Sequence, residues 1–254
     1  MTARLAAPIV SLGAALFVAG CTTFYEIPIE TPIQPKLDVS AFQRVLVAGF
    51  IAGGTDDVDA NLETVRLLRS QLRTKSSLRV IEADLLPLQE LVYDAAGGGN
   101  GDDDRQSLPE RIRDEKDLAS FEQVFANVDY WRRIGEEFQN PLIVTGTVLF
   151  TPHQRSGFVT REQEVYDQFG RRRVQPVRTY MERKGFILRP KFVFIDGRTG
   201  ATLYTESFRE EVLYGAQQNT PALSSYFELM DRLVPTFLNT LSTQRVRGSR
   251  ILLK

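Results

Sequence analysis

The chain has one cysteine, one histidine, one tryptophan and almost no net charge, and each scarcity removes a class of explanation. With Cys21 alone, no intramolecular disulfide can form, so an exported form must be held together by a packed core. Cys21 and His153 cannot between them build a zinc site of the usual His/Cys kind. Any metal would have to be a hard ion on carboxylates. Thirty-one bases against thirty-two acids leave −1, which gives no global electrostatic case for nucleic acid. Beyond the first twenty residues, no stretch approaches the ~20 apolar residues of a membrane-crossing helix. Nothing in the sequence calls for a cofactor.

What is present begins at the amino terminus. Arg4, the apolar stretch from Leu5, and the small residues Ala19 and Gly20 have the layout of a bacterial secretory signal. A cysteine directly after such residues resembles the lipobox of bacterial lipoproteins, in which the thiol receives a diacylglyceryl group. The preceding peptide is then cut and the new amino terminus acylated. The resemblance implies lipidation at Cys21, loss of residues 1–20, and a lipid as the membrane anchor. The alternatives are a plain signal with an incidental cysteine, or an uncleaved anchor, for which the apolar run is too short. Thr22 follows Cys21 where an Asp would imply retention at the inner membrane, so the resemblance points to the periplasmic face of the outer membrane. Cleavage would remove Arg4 and no acid, taking −1 to −2 and leaving about 230 residues, enough for one substantial domain.

Residues 21–41 read as a lipidated tether. Pro28, Pro32 and Pro35 alternate with Ile27, Ile29 and Ile33, which favours an extended chain and opposes a regular ladder. A single α/β domain is expected over 42–243. It opens with a buried strand, Arg44–Phe50, followed by cap candidates Asp56, Asp57 and Asp59. A helix with Leu62, Val65, Leu68 and Leu72 on one face comes next, then a strand at Leu78–Glu82, a βαβ-sized unit. A short helix is expected over Leu85–Val92, and one long helix from Asp117 to Phe138 with Leu118, Phe121, Trp131 and Ile134 at helical spacing. Asn140-Pro141 ends it. Strands follow at Leu142–Phe150, Phe186–Ile195 and Ala201–Leu213. The last two are joined by a turn at Asp196–Gly200, where Asp196 can cap an amide and Gly197 and Gly200 admit positive φ. A final helix opens at Thr220-Pro221 and carries Pro235, which should kink it or reset its last turns. Residues 244–254 read as a basic, weakly ordered tail, in which Ile251-Leu252-Leu253 could dock. The expected class is α/β with a mixed sheet, a two-layer or three-layer sandwich with a βαβ start, antiparallel C-terminal strands and a closing helix.

This order of elements resembles the periplasmic lipoprotein group around the curli-secretion lipoprotein CsgG, with LpoB and the amino-terminal domain of TolB. Three segments carry the resemblance: Arg44–Phe50, Leu142–Val148 and Phe192–Leu203. The chain departs from the group at Asn140-Pro141 and in its polar excursions at 93–116 and 152–180. The resemblance implies a binding or assembly role in the cell envelope, with an envelope protein or a peptidoglycan-related partner. It also opens the prospect of a homo-oligomer.

Residues that suggest catalysis do not assemble into a motif. Gly97-Gly98-Gly99-Asn100-Gly101 lacks the Lys-Ser/Thr of a phosphate loop and is followed by Asp102, Asp103 and Asp104. That acidic run lacks the ligand spacing of a calcium loop. His153 and Ser156 have no nucleophile-elbow context. The pairs Glu162/Glu164 and Glu210/Glu211 are explained by solvation. The expected catalytic and metal residues are therefore none.

Charge asymmetry is the strongest signal after Cys21. Residues 94–117 carry eight acids against four bases, net −4, and 153–178 carry six arginines against three acids, net +3. Arg155, Arg161, Arg171, Arg172 and Arg173, with Tyr166 and Phe169, are the candidate partner-binding residues, suited to a protein or anionic-glycan surface. The competing account is a solvated hairpin that pairs its own charges, or two excursions that neutralise each other. The expected function is a lipid-anchored, non-catalytic binding or assembly protein of the envelope. The alternatives are a curli-type channel subunit, which needs strands with an unbroken apolar face, and a periplasmic glycan hydrolase, which needs a cleft with converging acids.

Overall fold

The computed structural model describes residues 24–97, 108–109, 111–215 and 217–253. Cys21, the signal-like segment, and the glycine-rich and triple-aspartate run over 98–104 lie outside the described residues. The elements are β1 (Phe24–Ile33), β2 (Arg44–Gly54), α1 (Ala60–Lys75), β3 (Arg79–Ile81), α2 (Leu88–Gly97), α3 (Glu115–Phe121), a 3-10 turn (Glu122–Ala126) and α4 (Val128–Glu137). They continue with β4 (Leu142–Tyr166), β5 (Arg172–Asp196), β6 (Thr202–Ser207), β7 (Glu210–Gly215), α5 (Ala222–Leu241) and β8 (Gln244–Leu253).

The chain divides into a body, Pro35–Ser242, and a second unit in which β1 and β8 pair. In the body, the expected mixed α/β sheet is found, in the order β3-β2-β4-β5-β6 with β7 also on β5. β2 runs parallel to both β3 and β4, and the other pairs are antiparallel. Alternation along the central strands sends residues to two cores. Val45, Val47, Val144, Phe192 and Phe194 join α1 and α5 on one face. Leu46, Ala48, Ile143, Val193 and Ile195 join α2, α3, the 3-10 turn and α4 on the other. The result is three layers.

A bulge between Val47 and Gly49 keeps this partition. Gly49 has φ 123°, and past it the phase shifts so that Phe50 faces the α1–α5 core and Ile51 the opposite one. The Thr145 hydroxyl donates to the Gly49 carbonyl at 2.8 Å, satisfying a buried acceptor. Across α1 and α5, the hydroxyls of Thr64 and Tyr226 lie 2.5 Å apart, both buried. Burial raises the Tyr226 phenol well above its ordinary value.

Several expectations change. The helix expected from Asp117 to Phe138 is three pieces. A capping box of Asp114 and Asp117 starts α3, and Asn127, with non-helical ψ 84°, caps α4 by accepting from the Tyr130 amide at 3.1 Å. Its periodicity survived because each piece turns the same side to the sheet, with Leu118, Phe121, Val124 and Trp131 all in one core. The strand expected at Ala201–Leu213 is two. β6 pairs β5 from Lys191 onward and β7 pairs it up to Leu188, with Pro190, which has no N–H to donate, between them. At the final helix Pro221 holds the cap position without a side-chain cap bond, and α5 is continuous through Pro235.

The Asp196–Gly200 turn is where it was expected, with Gly200 at φ 74° and the Asp196 carboxylate accepting from the Arg198 amide at 2.9 Å. Gly197 does not take positive φ. It is glycine because a Cβ there would lie 2.5 Å from the Pro141 carbonyl.

The tether and the tail are corrected most. Phe24–Ile33 pairs antiparallel with Gln244–Leu253 over ten residue pairs, a regular ladder despite Pro28 and Pro32. A two-stranded ribbon leaves one edge of each strand unpaired, and a proline facing that edge forfeits no ladder bond.

Candidate functional site

The segment over 152–180, expected as an excursion between strands, is itself strand. β4 and β5 are each 25 residues long and pair without interruption from Leu142↔Asp196 to Tyr166↔Arg172. Burial stops after Phe150 on β4 and resumes at Gly185 on β5. Beyond that level the hairpin is an arm. Sixteen residues of β4, at about 3.3 Å each, give it a reach on the order of 50 Å. β2 pairs β4 only as far as Phe150, and β7 pairs β5 only from Arg183, so beyond the Arg155–Arg183 level both edges of the arm are open.

The tip is a tight turn organised by one carboxylate. Asp167 accepts from the amides of Phe169 at 2.9 Å and Arg171 at 3.0 Å, and from the Arg171 guanidinium at 3.0 Å. Gly170 takes φ 74° there. These bonds, the Arg171 amide foremost, hold the Asp167 carboxyl below its ordinary value. Arg173 approaches the same carboxylate at 3.8 Å, and Arg172 pairs with Glu164 at 2.5 Å. Each arginine of the cluster thus has Asp167 or Glu164 beside it, three bases against two carboxylates. Phe169 and Tyr166 stay exposed, Phe169 with the Arg171 guanidinium over its ring.

Alternation divides the rest of the arm into two unlike faces. One carries Phe158 against Tyr180, ring centroids 5.4 Å apart, with Arg178 over Phe158 and with Glu162, Glu164 and Glu182. The other carries Arg155, Arg161, Arg173 and Arg183 among Val159, Val165, Val177 and Met181, and has no acid. Among the described residues, Arg155, Arg161 and Arg183 make no ion pair. Of the candidate residues, Arg155, Arg161 and Arg173 are thus brought to one face. Arg171 sits in the tip turn, and Tyr166 and Arg172 are cross-strand partners on the opposite face. Arg183 was missed. Only the register, which sets it opposite Arg155, reveals it.

Three described charges of the acidic segment have partners within the body. Asp114 and Asp117 form the capping box, and Arg111 pairs with Asp56. The arm's ion pairs described above are internal to it, and none joins it to that segment.

Elsewhere, a cavity of about 280 Å³ is lined by Ala41, Gln43, Arg44, Gln139, Asn140 and Arg198, with two bases and no carboxylate. Among the described residues no group of three or more His, Cys, Asp or Glu converges as a metal site would require. Among them also, no helix is long and apolar enough to cross a membrane. Each arm strand has the length of a membrane strand, but both faces are charged, unlike the apolar band of a lipid-facing barrel.

No protein-family model matches the chain, and no curated protein matches it. Among solved structures it is similar to the lipoprotein GNA1162 from Neisseria meningitidis, with a TM-score of 0.34 and 13% identity over 77% of this chain and 98% of that one. A PDZ domain protein from Parabacteroides distasonis gives a TM-score of 0.24 at 11% identity, over 90% of this chain and 39% of that one. Scores this low carry no argument about fold or function. Neither neighbour is a member of the curli-secretion group by its name, so that resemblance rests on the order of elements and the three sequence segments.

Proposed function

We propose that this protein is a lipid-anchored, non-catalytic binding protein of the bacterial envelope, held by Cys21 at the periplasmic face of the outer membrane, that grips an acidic protein partner with the β4–β5 arm. One observation carries the reading: an arm face with four arginines, aliphatic side chains between them and no acid. Arginine with half-buried aliphatic neighbours suits a protein surface bearing carboxylates, where bidentate pairing gives orientation as well as attraction. The arm's length supports the same reading, since it extends far beyond what the two cores need for folding.

The test is charge reversal at Arg155, Arg161 and Arg183 together, followed by cross-linking of intact cells and recovery of the acylated protein. The parent should yield a discrete cross-linked partner whose capture weakens as salt rises. Reversal should abolish that capture while the melting temperature stays near the parent's. A partner retained at parental strength overturns the proposal.

A further inference from the structure

The β1–β8 ribbon is amphipathic, and its apolar face is open. Along β1, Ile27, Ile29, Thr31 and Ile33 alternate with Glu26, Pro28, Glu30 and Pro32, and strand geometry sends the two sets to opposite faces. The register places Arg247 opposite Glu30 and Arg245 opposite Pro32. Glu30 pairs with Arg247 at 2.8 Å and with Arg245 at 3.7 Å, on a face that also holds Glu26 and the exposed Ile251. On the other face Ile27, Ile29 and Ile33 are 45%, 41% and 52% exposed. Arg250, opposite Ile27, is the single charge beside them and makes no ion pair among the described residues.

We infer that this isoleucine face lies on an anionic phospholipid bilayer, with Arg250 at the level of the headgroup phosphates. An apolar stripe edged by a cation is the arrangement by which peripheral segments enter the interface. Chain length places the bilayer within reach. Cys21 is three residues from Phe24, and three residues span at most about 10 Å. The inference rests on the proposed acylation of Cys21, and the ribbon then supplies the second membrane signal that durable anchoring takes. Arg250, the one charge on that face, biases the contact toward anionic lipid.

The experiment uses the acylated full chain carrying Ile29→Trp, reconstituted into phosphatidylcholine–phosphatidylglycerol vesicles with and without brominated acyl chains. Trp131 is fully buried in the body and gives a constant background. The introduced indole should shift to the blue and lose at least half its emission to the brominated lipid. Adding Arg250→Glu should reduce that quenching at least twofold on anionic vesicles and leave it unchanged on pure phosphatidylcholine. An indole that stays unquenched overturns the inference. An unquenched indole whose emission shifts with protein concentration would instead identify a second copy of the chain as the occupant. The anchor is read separately, by palmitate incorporation that Cys21→Ser abolishes. Label without quenching refutes the ribbon contact alone. If label is absent, the same indole is tested on the unacylated chain at high vesicle concentration, where quenching sustains the ribbon contact and its absence refutes it.

Discussion

The inner and outer halves of the β4–β5 hairpin share one ladder and one register but are held by different forces. In the inner half, Leu142–Phe150 and Ile187–Asp196 lie under helices on both faces and between strands on both sides. In the outer half, beyond the level of Arg183, the same two strands keep only each other, an edge-to-face Phe158–Tyr180 pair and a tip fixed by Asp167. The ladder between the two strands is the same in both halves. Burial is not, and a two-stranded ribbon without burial is marginal in water. The outer half is stable because the inner half fixes its register, which makes the arm an extension of the core in geometry and a surface in energetics.

Two aromatic truncations should separate the halves most widely. Phe192 is 1% exposed and its ring packs on Phe50 and Phe237, so Phe192→Ala should cost about 3–5 kcal/mol in chemical denaturation. Phe158 is 66% exposed, and Phe158→Ala should cost about 1 kcal/mol or less, the scale of a cross-strand pair. Equal losses would mean that the arm has a core of its own.

Gly200→Val tests the turn that closes the inner half. Gly200 takes φ 74°, and a Cβ there would lie 2.1 Å from the Val128 carbonyl. The strained backbone alone should cost about 1–3 kcal/mol, and the contact with α4 drives the loss toward the upper end. A melting temperature equal to the parent's would show that α4 and the turn separate freely.

Deletion of residues 155–176, with a short glycine-containing turn in their place, should leave the fold intact, because closure entropy changes slowly with loop length. Cooperative unfolding with near-parental stability is the expected result. Loss of folding would place the arm in the core.

The smallest effect is at the tip. The Asp167 carboxyl sits below its ordinary value in the folded arm. Its contribution is therefore complete above the unfolded value and is lost only as pH falls through the lower, folded one. Amide shifts of Phe169 and Arg171 should hold steady through mildly acid conditions and move only below the ordinary carboxylate range. Movement near neutrality would break the assignment of Asp167 as the organiser.

Much of the body was legible because its signals are local. Asp59 caps α1 at its own amides, period-two phenylalanines mark β5, and Asp196 and Gly200 make a turn within five residues. The arm's partition was not legible. Arg155 and Arg183 stand 28 positions apart in sequence, and only the cross-strand register puts them side by side. Reading charge by segment gave +3 for 153–178 and favoured Arg171–Arg173. The fold sets Asp167 and Glu164 against those three at the tip, and Arg155, Arg161 and Arg183, lower on the arm, make no ion pair among the described residues.

The sequence by itself determined the composition limits, the apolar run ending at Cys21, the mixed α/β class, and the positions of the central strands and of α1 and α5. These follow from periodicity and from side-chain chemistry within one or two turns of chain. Tertiary structure alone decided that a polar excursion is a 50 Å-scale arm and that a proline-rich tether and a basic tail are one ribbon. Strand pairing joins residues far apart in the chain, as Phe24 to Leu253. The free energy that selects such a partner belongs to the pair and is written in neither segment alone.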